Sequence, residues 1–327
     1  MEIEGSSLDR ILIQLYKALL EKGRINREAS RGPNKELLGL TIRLTNPLSR
    51  LSRSEDRGRP FSALGELLWY LTGSDSLYFI HPYISAYEKE SLNGVLPGAY
   101  GPRLFNMRGQ YNQLENIIKV LTKSPGSRRA VIQLFDASDI QERLPEIPCT
   151  TTMQFHVRDG KLYLSVTMRS NDAYLGFPHD VFCFTMLQEM VARKLGLELG
   201  DYIHHAGSMH IYTDREKGAL EYIEEGFQKP IYMPRMPDGD PFELVEKIKN
   251  LELRLRRQDN FDAQTEMESD YWSDFMRLLQ VFWAKGDIPQ ITSLLKQFKN
   301  SVYRSHLEGR LDTMKRKAEE YTKKKDR

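Results

Sequence analysis

The chain has little of what marks the specialised protein classes. Two cysteines, Cys149 and Cys183, in 327 residues are too few for a disulfide framework or a cysteine-based zinc site, and they make a reducing cytoplasm the expected setting. No apolar run approaches the roughly 20 residues of a membrane-spanning helix. The opening MEIEGSSLDR lacks the basic flank and apolar stretch of a secretory leader. Neither sign of charge dominates: 47 Lys+Arg against 45 Asp+Glu leave +2, which argues against a whole-chain grip on nucleic acid, though not against a local patch. No internal repeat is visible. What remains, 40% hydrophobic with 28% charged and 10% aromatic, is an ordinary globular mix with enough residues for one large core or two modest ones.

Periodicity predicts an opening amphipathic helix over Leu8–Lys22, then an irregular stretch from Asn26 to Arg57 with a short apolar run at Leu37–Leu44. Phe61–Leu71 reads as a helix capped by Gly73, and Tyr111–Leu121 as another that stops at Ser124-Pro125-Gly126. Arg129–Phe135, Thr151–Arg158 and Leu162–Met168 are β-rich, with Asp159-Gly160 as a hairpin turn. An apolar helix over Val181–Leu195, a strand over His204–Tyr212 and a helix to Glu225 follow. Four prolines between Pro230 and Pro241 mark a linker, and Phe242–Arg327 is nearly all helix former, ending in the basic run KRKAEEYTKKKDR. The division expected is a mixed α/β (α+β) unit over 1–236 and a helical extension over 237–327.

Several residues carry possible chemistry. Cys149, in EIPCTTTMQF, follows a proline and opens a β-segment. It is either a small buried hydrophobe or a nucleophile with Arg128, Arg129 or Arg169 to lower its pKa. Cys183, on the apolar helix, reads as core. In MRSNDAYLGFPHD, Arg169 beside Ser170 suits a phosphate, because a planar guanidinium binds oxyanions bidentately; a solvent-facing strand end is the plain alternative. Asp180 is a helix N-cap or more. Glu66, in GELLWYLTG, is either on a wet face or buried with a task. His210 and Tyr212 alternate on one strand face, where they hold sugar hydroxyls or pack.

Taken together, these segments resemble the thymidylate synthase superfamily across roughly residues 25–228. GELLWYLTG, GAYGPRL, QLENIIKVL, SPGSRRA, PCTTTMQF, MRSNDAYLGFPHD and GSMHIY fall in family order. The resemblance implies a layered α/β fold with a large twisted sheet, paired into a homodimer through that sheet. It implies that Cys149 adds to C6 of a pyrimidine nucleotide and that Glu66 handles proton transfers around the base. Arg169 and Ser170 would bind the 5′-phosphate, joined by Arg128 and Arg129 from the other subunit and by Arg31, with Arg27 as rival. His210 and Tyr212 would hold the 3′-hydroxyl. Asp172 and Tyr100 would line the cavity for 5,10-methylenetetrahydrofolate, the cosubstrate; no metal is called for.

Two departures from the family pattern point further. Where thymidylate synthases carry Asn, whose amide pairs with O4 and N3–H of uracil, this chain has Asp180. A carboxyl can accept from N4 of cytosine, whereas a carboxylate meets O4 of uracil acceptor to acceptor, a mismatch of about 1–3 kcal/mol. With the RSND run and Thr150 after the cysteine, this looks like the cytidylate and deoxycytidylate 5-hydroxymethylases. The family's short apolar tail, which shields the intermediate from water, is replaced by lysines, consistent with capture of that intermediate by water. The expected substrate is therefore CMP or dCMP, since both carry the 3′-hydroxyl. Thymidylate-type methylation of dUMP is the alternative. A binding protein without catalysis, holding RNA on its basic C-terminal helices, is a third reading; Cys149, Glu66, Asp172 and the phosphate arginines speak against it.

Overall fold

The computed structural model describes residues 1–29, 31–52, 60–141, 144–303, 306–309 and 311. The basic run from Lys315 and residues 53–57 of the stretch expected to be irregular lie outside them.

Strand β1 (Glu2–Gly5) leads into helix α1 (Leu8–Lys22), capped by the Ser7 side chain, which accepts from the Arg10 N–H. Its apolar stripe, including Ile11, Leu12, Leu15 and Leu19, is buried. A short β2 (Arg24–Asn26) precedes β3 (Asn34–Leu44). The sequence pattern reduces β3 to a short apolar run, but all eleven residues form strand, because β1 pairs with it on one side and β8 on the other. Tertiary pairing overrides the weak local signal here.

Helices α2 (Pro60–Leu71), α3 (Leu77–Ile80), α4 (Tyr100–Phe105) and α5 (Gln113–Lys123) carry the chain to β4 (Val131–Gln133). Strands β5 (Thr150–Arg158) and β6 (Lys161–Met168) then form the expected hairpin. Asp159 and Gly160 both take positive φ, 49° and 72°, which a primed two-residue turn requires. The two-residue β7 (Asn171–Asp172) leads into α6 (Gly176–Lys194), which starts earlier than its apolar run suggests. Sixteen of its residues are buried, as befits a helix that is apolar nearly all round. The fifteen-residue β8 (Glu198–Tyr212) and α7 (Glu216–Glu225) follow.

The sheet has eight strands in the order β1-β3-β8-β6-β5-β4, with β2 beside β3 and β7 beside β8; it mixes parallel and antiparallel pairs. Helices α1 and α6 cover one face, while side chains of the opposite face, among them Gln154, Tyr163, Ser165 and His205, stay partly exposed.

The proline-rich stretch is laid against the core instead of spanning free space. Met233 and Met236 are buried, the Met233 N–H donates to the Leu48 carbonyl, and the Met236 N–H donates to Glu189. Beyond it, α8 (Val245–Arg256), α9 (Ala263–Met267), α10 (Asp270–Trp283) and α11 (Ile288–Leu295) join the same hydrophobic core. Arg256 is pivotal: it pairs with buried Glu252, donates to the carbonyls of Tyr78 and Phe79, and lies over the rings of Phe79 and Trp283. No helix among the described residues is long and apolar enough to cross a membrane.

Candidate active site

Antiparallel pairing puts the residue before β5 and the residue after β6 at one end of the sheet. Those residues are Cys149 and Arg169, and the Arg169 N–H donates to the Cys149 carbonyl at 2.8 Å. The Arg169 guanidinium donates to the carbonyls of Pro148 and Ile147, at 2.9 and 3.1 Å, and lies 3.6 Å from the Cys149 Sγ. Burial pushes the Cys149 thiol up; the Arg169 charge opposes this, while Asp180 and Glu146 add to it. The guanidinium therefore favours a thiolate that burial disfavours. Ser170 follows, half-buried.

The same end of the sheet gathers the other strand residues. Register pairs His210 with Asp172 of β7 and with Glu36 of β3, and Tyr212 with Asn34. The rings of His210 and Tyr212 meet edge to face with centroids 5.1 Å apart. Asp172 accepts from the Tyr174 N–H, and burial, opposed by His210, pushes its carboxyl up to about 6. Burial holds His210 below the ordinary imidazole value. Arg31 precedes β3 and lies close enough to act on Cys149 and Tyr212, with its guanidinium 2.6 Å from Glu90. Arg27 is exposed on the segment after β2. Arg128 and Arg129 are also exposed, ahead of β4, where the Arg128 carbonyl accepts from Gln154.

Helices supply the remainder. Glu66 is buried on α2, where one carboxylate oxygen accepts from Tyr70 at 2.9 Å and from Tyr87 at 2.8 Å. The wet-face alternative for Glu66 is thereby removed. Asp180 sits a turn inside α6 and is not its cap, since that helix begins at Gly176. It is buried, accepts from the Asn171 amide at 2.7 Å, and is driven well above the usual carboxylate range by burial and then by Glu66. The Tyr100 hydroxyl accepts from the Thr150 N–H at 3.0 Å, and its ring stacks toward Phe184 and Tyr70. Cys183 is buried against the Ala63 carbonyl, as core.

Sequence reasoning missed Asn171, Tyr70, Tyr87, Glu90 and Glu146. Asn171 lies inside the quoted RSND run and Glu146 beside the PCTTT run, so their positions were available. Tyr87 and Glu90 are brought in by the turn after α3, which no spacing announces. A cleft of about 250 Å³ near α4 is lined by Asp75, Arg103, Arg108, Asp136 and Asp139. Four of these five charges pair with one another, Arg103 with Asp139 and Arg108 with Asp136, which marks the cleft as scaffold. Among the described residues no group of three or more His, Cys, Asp and Glu is placed to hold a metal ion.

A cysteine held at a sheet end by an arginine, a buried glutamate under two phenols and a carboxyl–amide pair make up the candidate site. Residues 57–268 match the family model described as thymidylate synthase, and the chain belongs to that family. A thymidylate synthase of Symbiobacterium thermophilum is 34% identical over 186 residues. The match covers 52% of this chain and 65% of that protein, short of two thirds of its length.

Proposed function

We propose that the chain is a folate-dependent one-carbon transferase that converts CMP or dCMP to the 5-hydroxymethyl nucleotide. The observation that carries this reading is Asp180, buried and tied to Asn171, at the position where the family reads the base with an amide. One Asp180 oxygen is engaged by Asn171, and the other is left to accept from the exocyclic amine of cytosine.

Cys149 adds to C6, which makes C5 nucleophilic. Arg169, Ser170 and Arg31 hold the 5′-phosphate so that C6 stays within reach of sulfur; Arg31 must leave Glu90 to do so. His210 and Tyr212 hold the 3′-hydroxyl. 5,10-Methylenetetrahydrofolate supplies the one-carbon unit. Asp172 and Tyr100 fit its cavity: Asp172 keeps a carboxyl close to neutrality in its titration, at about 6, suited to the polar edge of a fused ring, and Tyr100 adds an aromatic wall. Glu66, steadied by Tyr70 and Tyr87, moves protons at the base and directs the water that completes the product. The sheet face left partly exposed supports a homodimer, in which exposed Arg128 and Arg129 reach the partner's phosphate. Of the expected boundary, 1–236 for catalysis and 237–327 as extension, we retain the catalytic part and read the extension as a brace on the segment that carries Tyr87 and Glu90.

Methylation of dUMP is the second reading. It is favoured by the relative named thymidylate synthase and by the burial that keeps Asp180 protonated, because a carboxylic acid can donate to O4. Calorimetric titration separates the two. Cytosine nucleotides should bind about 10- to 100-fold tighter than dUMP, the size of one mismatched buried polar pair. Equal affinity, or a preference for dUMP, removes the assignment to cytosine.

A further inference from the structure

The Asn171 side chain leaves its acceptor end unused. It is 3% exposed, and its Nδ2 donates to Asp180 Oδ2 at 2.7 Å. Its Oδ1 is fully buried and has no hydrogen-bond partner among the described residues. Buried polar atoms are almost always partnered, so an orphan beside a candidate site calls for a reason. The contact to Asp180 fixes which end of the amide is free, because only the nitrogen can donate to a carboxylate. Strand β7 fixes where that end lies: Asn171 is in register with Met209 and Asp172 with His210, and the Ala173 N–H donates to the His210 carbonyl. Gly176, the first residue of α6, keeps a side chain away from the pair. An added Cβ there would come within 3.3 Å of Asn171 Nδ2 and 3.8 Å of Asp180 Oδ2.

The orphan is an acceptor, and it stands beside another. A carboxamide oxygen takes a hydrogen bond only from an N–H or O–H group. In the function proposed above, the Asp180 oxygen that Asn171 does not touch accepts from the exocyclic amine of cytosine. That amine carries two hydrogens in the plane of the ring, and a single acceptor leaves one of them unpaired. Asn171 Oδ1 belongs to the same planar amide as the nitrogen bonded to Asp180, so it borders the carboxyl that reads the base. Two neighbouring buried acceptors suit a primary amine better than a group with one hydrogen.

We propose that Asn171 reads the base together with Asp180: its Oδ1 accepts one N4–H of a cytosine nucleotide while the free Asp180 oxygen accepts the other. The proposal rests on the reading of Asp180 as the residue that faces C4 of the base. The two ends of one amide then do different things. The nitrogen holds Asp180 in place, and the oxygen touches the substrate. Uracil is rejected twice, because O4 has no hydrogen to offer and would leave both acceptors unpaired.

The test is a set of calorimetric titrations without folate, using CMP, dCMP, the N4-methyl derivative of whichever binds tighter, and dUMP. Methylation replaces one N4 hydrogen, so the wild type should bind the derivative about tenfold or more weakly than its parent. Equal binding overturns the proposal with no variant needed. Asn171→Leu keeps the volume of the side chain and removes the acceptor. In this variant the loss on methylation should shrink to within about threefold, and the preference for the cytosine nucleotide over dUMP should fall about tenfold. A purely steric penalty, or an Asn171 that acts only through Asp180, leaves the ratio of parent to methyl derivative as it is in the wild type, and that outcome overturns the proposal. A wild type that prefers dUMP removes the cytosine reading and this proposal with it. A wild type that prefers the cytosine nucleotide but shows either contrary result removes this proposal alone.

Discussion

The Asn171 amide donates to the Asp180 carboxyl at 2.7 Å, and both side chains are buried. The pair is built from two elements that meet only in the fold, the short strand β7 and the second turn of α6. In the function proposed above, Asn171 thereby sets which Asp180 oxygen is available to the base. Asp180→Asn should cut kcat/KM for cytosine nucleotides about 10²-fold and raise activity on dUMP, since an amide offers the donor that O4 needs. Steady-state kinetics on CMP, dCMP and dUMP check this. A variant that loses cytosine activity and gains none on uracil leaves Asp180 a structural residue.

Glu66 depends on its two phenols. Tyr87→Phe should lower kcat about tenfold with little change in nucleotide KM, and Glu66→Gln about 10²- to 10³-fold, if this carboxylate moves protons. Cys149→Ala should leave no measurable turnover, because covalent catalysis has no substitute nucleophile here. Substantial activity in Cys149→Ala removes the adduct mechanism altogether.

Gly65 lies under the ring of Tyr83: a Cβ at Gly65 would come within 2.1 Å of the ring carbons. Tyr83 is fixed in turn by Glu252 and Trp283 from the C-terminal helices. Gly65→Ala should therefore destabilise the protein by about 1–3 kcal/mol through overpacking, read as a lower urea midpoint. It should also slow turnover, since the displaced segment carries Tyr87 and Glu90.

Burial raises both Asp172, to about 6, and Glu146, to about 7. A carboxyl whose folded pKa exceeds its unfolded value favours folding while protonated, and that contribution disappears as pH rises through the folded pKa. Stability should thus fall between about pH 5 and about pH 8, with Glu146 accounting for about 2–3 kcal/mol of the fall. Urea unfolding of Glu146→Gln should show a flatter dependence over this window. An identical slope in the variant contradicts the buried, protonated state of Glu146.

Much of this was legible in the sequence where local chemistry decides. The α1 stripe, the Asp159-Gly160 turn and the apolar α6 follow from periodicity and turn residues alone. Strand β3 did not, because its partners β1 and β8 supply the order that its mixed run of Lys, Glu, Gly and leucines does not encode. The proline-rich stretch read as a linker because prolines report a missing N–H and say nothing about the burial of Met233 and Met236. In the site, Cys149, Arg169 and Glu66 stood inside recognisable motifs. Tyr87 and Glu90 come from an unpatterned turn, and only the fold brings them to Glu66 and Arg31.

The central claim is that a cytosine nucleotide receives a hydroxymethyl group at C5. Mass spectrometry of the products from CMP, dCMP and dUMP, each incubated with 5,10-methylenetetrahydrofolate, tests it most directly. The account predicts a cytosine nucleotide heavier by one formaldehyde unit, with the relative rates on CMP and dCMP reporting the sugar preference. A methylated uracil nucleotide, with the cytosine nucleotides untouched, would contradict it.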